Sequence, residues 1–229
     1  MAGETTRSEA ICLRIRPWSR TSHVVTWLTR EGPVGTVVKG AVRPKSAFLG
    51  QYDLNYTCEI VRYLHGRGEL RPLRECTPLR MREGLRGDWR RLVLADRYRE
   101  VAGELAPSGP EASDWFDLLD GALDALAADG AREIPLLARL LDFEIRALRL
   151  AGLPPEVEAE SGSFALRGER RIPVSAAVAA TLRHPLGADD PQILLDTARV
   201  IGVFYSFHLE SAPETRRAVL RMISTNEEG

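Results

Sequence analysis

The spacing of apolar residues changes once along this chain, near Arg80, and that change limits what it can fold into. Upstream, apolar residues recur at every second position. Ile11, Leu13 and Ile15 alternate with Cys12, Arg14 and Arg16. Leu54, Tyr56, Cys58 and Ile60 alternate with Asp53, Asn55, Thr57 and Glu59. A strand sends successive side chains to opposite faces, so each run should carry one apolar face. His23 to Thr29 is β-branched and aromatic, and Val34 to Lys39 reads as a further strand. Leu70 to Cys76 is the last, and Pro72 pushes it toward a sheet edge. Glu31-Gly32-Pro33 and His65-Gly66-Arg67-Gly68 are turn signals. Five short strands with glycine turns suit a small barrel, and the OB-fold is the five-stranded form.

Downstream the period is helical. Leu92 to Leu105 forms a first stripe, ended by Pro107 to Pro110. Ser113-Asp114 is an N-cap signal for a second helix, carrying Trp115, Leu118, Leu119, Ala122, Leu123 and Leu126. Further helices are expected at Pro135 to Leu150, Pro173 to Leu182, Gln192 to Leu209 and Pro213 to Ile223. Residues 156–172 show no stripe and read as an irregular insert. The expected fold class is α+β: an N-terminal five-stranded OB-fold barrel over 1–80, then an all-helical domain over 81–229 with a short irregular insert. The junction, Thr77 to Arg82, is too short and too charged for a flexible linker, so the two are expected to pack closely.

Charge is divided along the same line. Residues 1–80 hold 13 Lys and Arg against 7 Asp and Glu, whereas residues 81–229 hold 18 against 25. The chain has only two lysines, Lys39 and Lys45, and they flank Arg43 in the run Gly35-Thr-Val-Val-Lys39-Gly40-Ala-Val-Arg43-Pro44-Lys45-Ser46. No carboxylate lies between Glu31 and Asp53. Three cations where a strand opens into a loop can follow successive phosphates. Arg14, Arg16 and Arg20 lie on or after the first strand. Arg62 and Arg67 flank the hairpin, and Arg71 and Arg74 lie on the last strand. Trp18, Phe48, Tyr52 and Tyr63 could serve as stacking surfaces. Trp27 and Tyr56 read as core, and only Trp18 and Phe48 compete for exposure.

Other chemistries find little support. Gly35 and Gly40 have the spacing of a phosphate loop, but Ala41 stands where its lysine should follow. Cys12, Cys58 and Cys76 form no CxxC pair and read as buried, inert thiols. His23, His65, His184 and His208 have no metal-ligand spacing. Asp189-Asp190 and Asp117/Asp120 read as solvated cap or helix-face charges. No cofactor, metal or catalytic constellation is expected, and so no enzyme. Met1 to Glu9 has no apolar signal region, and no apolar run approaches about 18 residues, so a cytoplasmic, nucleoid-associated protein is expected.

With these segments laid out, the chain resembles the bacterial DNA repair protein RecO family. The resemblance rests on Ile11-Cys-Leu-Arg14, on Ser19-x-x-Ser22-x-x-Val25-x-x-Leu28-Thr29, and on Glu31-Gly32-x-x-Gly35. Lys39-Gly40-Ala41-x-Arg43-x-Lys45-Ser46 is its most specific element. Arg139-x-x-x-x-Phe143-Glu144-x-x-x-Leu148-x-x-x-Gly152-Leu153-Pro154, Phe207-His208-Leu209 and Arg216-Arg217 complete it. The resemblance implies a recombination mediator. Such a protein binds single- and double-stranded DNA, anneals complementary strands and recognises the acidic tail of single-strand-binding protein. With RecR it helps load the RecA recombinase, and the sequence leaves open whether RecF joins as a further partner or the acidic tail alone suffices. Lys39, Arg43 and Lys45 are the matched positions; the other arginines are read from strand alternation. Many members carry a four-cysteine zinc module after Gly-Leu-Pro, yet residues 154–190 here contain no cysteine. That segment should be a metal-free loop or hairpin (Phe164 to Ile172). The contrasting reading is a protein-interaction scaffold whose degenerate OB barrel does not bind DNA.

Overall fold

The computed structural model describes residues 4–64, 70–128, 134–160, 163–166, 171–208 and 214–224. Strands β1 (Thr5–Ser19), β2 (Ser22–Thr29), β3 (Gly32–Val38), β4 (Thr57–Tyr63) and β5 (Arg71–Arg80) close into a barrel in the order β1-β2-β3-β5-β4. All neighbours are antiparallel except β3 and β5, whose parallel seam is only Thr36 beside Arg71 and Val37 beside Pro72. Closure gives β5 a neighbour on each side, so Pro72 does not mark a free edge. A proline cannot donate to a ladder, and it sits where the ladder is thinnest.

Ala10, Cys12, Val25, Trp27, Val38, Tyr56, Cys58, Ile60, Leu73 and Cys76 fill the interior. The Trp27 indole donates to Thr36 Oγ1 at 2.8 Å, which satisfies its one polar atom without water. The alternation expected of β1 is broken by two bulges. Cys12 pairs with Trp27 and Arg14 with Thr26, so Leu13 is extra; Pro17 pairs with His23 and Ser19 with Ser22, so Trp18 is extra. An extra residue reverses the faces beyond it. Cys12 therefore lies inside with Ala10, and Ile15 packs against the same core although it was expected to share a face with Ile11 and Leu13. The strand expected from Asp53 begins at Thr57, because Asn55 adopts a left-handed φ of 68°. Leu54 is left exposed.

Two compact units emerge. One comprises residues 1–83 with 99–127, and the other residues 84–98 with 128–229. Helix α1 (Trp89–Leu105) supplies residues to both. In the barrel unit its second part meets β1, where Leu13 lies beside Gly103. Helix α2 (Ala112–Ala127) completes that unit. It starts at Ala112, so Ser113 and Asp114 fill its first turn rather than its cap, and Asp114 there still complements the helix dipole. The β2–β3 turn is fixed against the approach to α2, with Gly109 N donating to Glu31 O at 2.9 Å. Gly32 has a φ of +121°, and a Cβ there would lie 2.9 Å from the Pro107 carbonyl oxygen and the Ser108 Cα. Both neighbours are backbone. Gly32→Ala should therefore destabilise the protein by about 2 kcal/mol or more, read as a lower urea midpoint.

In the second unit, helices α3 (Leu136–Leu150), α4 (Ala176–Arg183), α5 (Pro191–His208) and α6 (Glu214–Ser224) join the first part of α1. The stripe of α3 is buried from Leu137 to Leu148, and its end is closed by Gly152 at φ +75°, with Leu153 N donating to Leu148 O. Ser175 caps α4 by accepting from Val178 N. The insert after α3, expected to be irregular with a loop or hairpin at Phe164 to Ile172, instead carries a small antiparallel sheet, β6 (Val157–Glu160), β7 (Ser163–Leu166) and β8 (Ile172–Val174), in which β7 pairs with both of the others.

Candidate nucleic-acid interface

Register places the basic residues of the barrel in separate groups. Arg14 shares a row with Thr26 and Gly35, and Arg16 with Val24 and Val37. These rows alternate with the inward Val25 and Trp27, so both arginines point outward, and both are exposed. The loop after β3 is fastened to the β1–β2 turn beside them. Val42 N donates to Thr21 O at 3.3 Å, and Gly40 N to Ser22 Oγ at 3.2 Å. Gly40 has a φ of +67°, and a Cβ there would lie 3.2 Å from Arg43 Cδ, so the Arg43 chain folds across it. Arg14 and Arg16 thus face outward on β1, Arg20 lies in the turn after it, Lys39, Arg43 and Lys45 lie in the loop fastened to that turn, and all six are exposed. No salt bridge among the described residues engages any of them.

The basic loop is held from below by apolar packing. Phe48 and Tyr52 pack against the barrel core. Phe48 is therefore not a free stacking surface. Tyr52 shares a 2.8 Å hydrogen bond with His23 Nδ1, and burial pushes its phenol up. The Cys58 and Cys76 thiols each donate to Gln51 O at 3.6 Å. Cys76 is pushed up by its hydrogen bond with Cys58 and by burial, and Cys12 by burial above all, so both remain thiols at neutral pH.

Arg62, Arg71 and Arg74 lie elsewhere on the barrel. Arg71 shares its row with Thr36, and Arg62 is paired with Leu73 on one side and Thr6 on the other. Strands β2 and β3 lie between Arg71 and the Arg14–Arg16 rows, and Arg62 is beside Thr6, eight positions along β1 from Arg14. Arg74 is in a 3.1 Å ion pair with Glu75. Arg67 and the rest of the His65–Gly68 turn lie outside the described residues.

A third group is neutralised by α2. Arg30 pairs with Asp117 at 2.8 Å and lies 4.5 Å over the Phe116 ring. Arg80 pairs with Glu9 at 2.5 Å and Asp120 at 2.9 Å. Arg82 is buried and donates to Asn55 O at 2.6 Å, to Thr57 Oγ1 at 2.8 Å and to Asp124 at 2.7 Å. Asp120 is therefore not the solvated charge its helical position suggested. Burial raises its carboxyl, but the hydrogen bond from Thr57 and the guanidiniums of Arg82 and Arg80 outweigh burial and hold it below the ordinary value. The acidic helix cancels one basic side of the barrel and leaves the loop side uncancelled. Only the pattern of partners reveals that division, since all these arginines look alike in sequence.

Residues 1–82 match the model of the Recombination protein O N-terminal domain, and residues 86–218 that of its C-terminal domain. The chain belongs to the Recombination protein O family. The DNA repair protein RecO of Gloeobacter violaceus is 32% identical over 179 residues, 73% of this chain and 67% of the relative. That of Moorella thermoacetica is 29% identical over 178 residues, 77% of this chain and 64% of the relative. That of Anaeromyxobacter sp. strain K is 32% identical over 174 residues, 75% and 66% of the two chains. The chain thus spans about two thirds of the length of these relatives. A tetrathiolate zinc module does not fit residues 154–190, which supply no thiol. Among the described residues no cluster of His, Cys, Asp and Glu could hold a metal, and no helix is long and apolar enough to cross a membrane.

Proposed function

We propose that this chain acts in DNA repair and recombination by binding DNA backbones on the surface formed by Arg14, Arg16, Arg20, Lys39, Arg43 and Lys45. The observation that carries this reading is that, among the described residues, no ion pair engages these six cations, whereas Arg30, Arg80 and Arg82 of the same unit are matched by carboxylates of α2. A cation already held by a carboxylate has little left to offer a phosphate; these six need displace only counterions. Two strands meeting on such a surface repel each other less, which is the physical basis for strand annealing. Family membership extends the proposal to loading RecA on DNA covered by single-strand-binding protein, with RecR, RecF and the acidic tail of single-strand-binding protein as partners.

Salt dependence tests the surface directly. If Lys39, Arg43 and Lys45 each meet a phosphate, changing all three to Ala should flatten the slope of log K against log salt by about 2–3 units. The affinity loss should be similar for unrelated sequences, because backbone contacts carry no base information. An unchanged slope would move the DNA site elsewhere. Failure of the unsubstituted chain to bind or anneal DNA at any salt would favour the scaffold reading.

A further inference from the structure

We propose, resting on the DNA-binding reading of this surface, that Trp18 is a stacking platform for an unpaired base and makes the six-cation site prefer single-stranded to duplex DNA. Trp18 is 64% exposed, the most exposed large apolar side chain among the described residues. Of the barrel's other aromatics, Trp27 and Tyr56 are buried, Phe48 and Tyr52 pack on the core, and Tyr63 on β4 is only part-exposed. Its exposure has a local cause. Trp18 is the extra residue of the second β1 bulge and faces no partner in β2. A bulge bends its strand and re-aims the side chain it adds, and bulges recur at barrel rims for that reason.

The surroundings decide what would cover this indole. Arg16 and Arg20 lie two residues away on either side. Thr21 O, in the turn that follows, accepts from Val42 N and so brings the basic loop alongside. Val42 and Leu49 of that loop are themselves 48% and 57% exposed. An exposed apolar ring flanked in the chain by two exposed arginines, which no ion pair among the described residues engages, suits a ligand that is anionic along its backbone and offers flat apolar faces. A single strand has both features. In a duplex the base faces are already stacked on one another, and only phosphates remain for the surface to use.

The experiment uses the full chain with Trp89→Phe, which removes the other exposed indole and leaves Trp27 and Trp115 buried. An oligothymidylate, an abasic strand of equal length and a duplex are titrated separately, with far-UV circular dichroism confirming the fold of each variant. The oligothymidylate should quench Trp18 fluorescence, and the abasic strand should not. Trp18→Ala should weaken oligothymidylate binding about tenfold or more and leave duplex affinity within about twofold. The single-strand salt slope should not change, because an indole releases no counterion. Trp18→Phe should recover most of the loss. Equal losses for single strand and duplex, quenching by the abasic strand, or no effect of Trp18→Ala would overturn the stacking role while leaving phosphate binding intact. A wild-type chain that binds no DNA would overturn the functional reading and this inference together.

Discussion

Replacing Glu144 by Ala should lower the unfolding free energy by about 3–5 kcal/mol, the range typical of breaking a buried ion pair from one side. Glu144 is fully buried in α3. It accepts from Arg97 at 2.9 Å and from Arg216 at 2.9 Å, so one carboxylate joins α1 to α6. Arg216 also donates to Ala198 O on α5 at 2.9 Å. Gly202 on α5 provides room, since a Cβ there would lie 2.8 Å from Arg216 Nη1. Removing the carboxylate would leave two guanidiniums without their anion, one of them wholly out of water. Glu144→Gln should recover only part of the loss, because it restores an acceptor without the charge. Urea unfolding at neutral pH measures both variants. A loss for Glu144→Ala below about 1 kcal/mol would show that the two arginines find other partners.

The same group predicts an acid limb. Burial alone would raise the Glu144 carboxyl, yet Arg216 and Arg97 outweigh burial and hold it below its ordinary value of 4.5. A depressed carboxyl stabilises the fold above the unfolded value, and that stabilisation is lost as pH falls through the folded one. The stability gap between wild type and Glu144→Ala should therefore be constant near neutrality and begin to narrow below pH 4.5. A gap unchanged down to the acid transition would assign the loss to cavity formation rather than charge.

Glu144 also shows where sequence reading stops. Local signals were legible. The helical stripes, the β-branched strands and Gly152 after α3 follow from residues within a few positions of one another. The five-stranded barrel and the helical region after it follow from the change of period. Register is different. The extra residues Leu13 and Trp18 cannot be seen in β1 alone, because a bulge is defined by the partner strand. Ion pairs are further still from local view. Glu144 lies 47 residues from Arg97 and 72 from Arg216, and nothing in the α3 stripe distinguishes it from a solvated glutamate. The candidate surface was legible in part for the same reason. The Lys39 to Lys45 run announces itself by having no acid nearby. Arg14 and Arg16 are turned to the outer face by the rows of β1, β2 and β3, and Arg62 is placed at the other end of β1, beside Thr6, only by the β1–β4 pairing.

Arg82 should be the most sensitive arginine of the barrel unit, with Arg82→Ala costing about 3 kcal/mol or more. Its side chain is only 2% exposed, against 38% for Arg80, which shares Asp120. Each Arg82 nitrogen has a separate task. Nη1 reaches the Asn55 carbonyl and the Thr57 hydroxyl where β4 begins, Nη2 reaches Asp120, and Nε reaches Asp124 one turn further along α2. The planar guanidinium can hold this geometry, whereas a lysine offers one charge at one point, so Arg82→Lys should rescue little. Arg80→Ala should cost at most about 1 kcal/mol, because its pairs face water. A double-mutant cycle of Arg82→Ala with Asp120→Ala should give a coupling of about 1–3 kcal/mol, while Arg82→Ala with Glu144→Ala, which share no bonding partner, should be additive. If Arg82→Ala leaves the fold intact, its DNA affinity and salt slope should match wild type, since Arg82 is committed to α2 and the basic loop is not. A flattened slope in that variant would mean that the neutralised side of the barrel also meets phosphate.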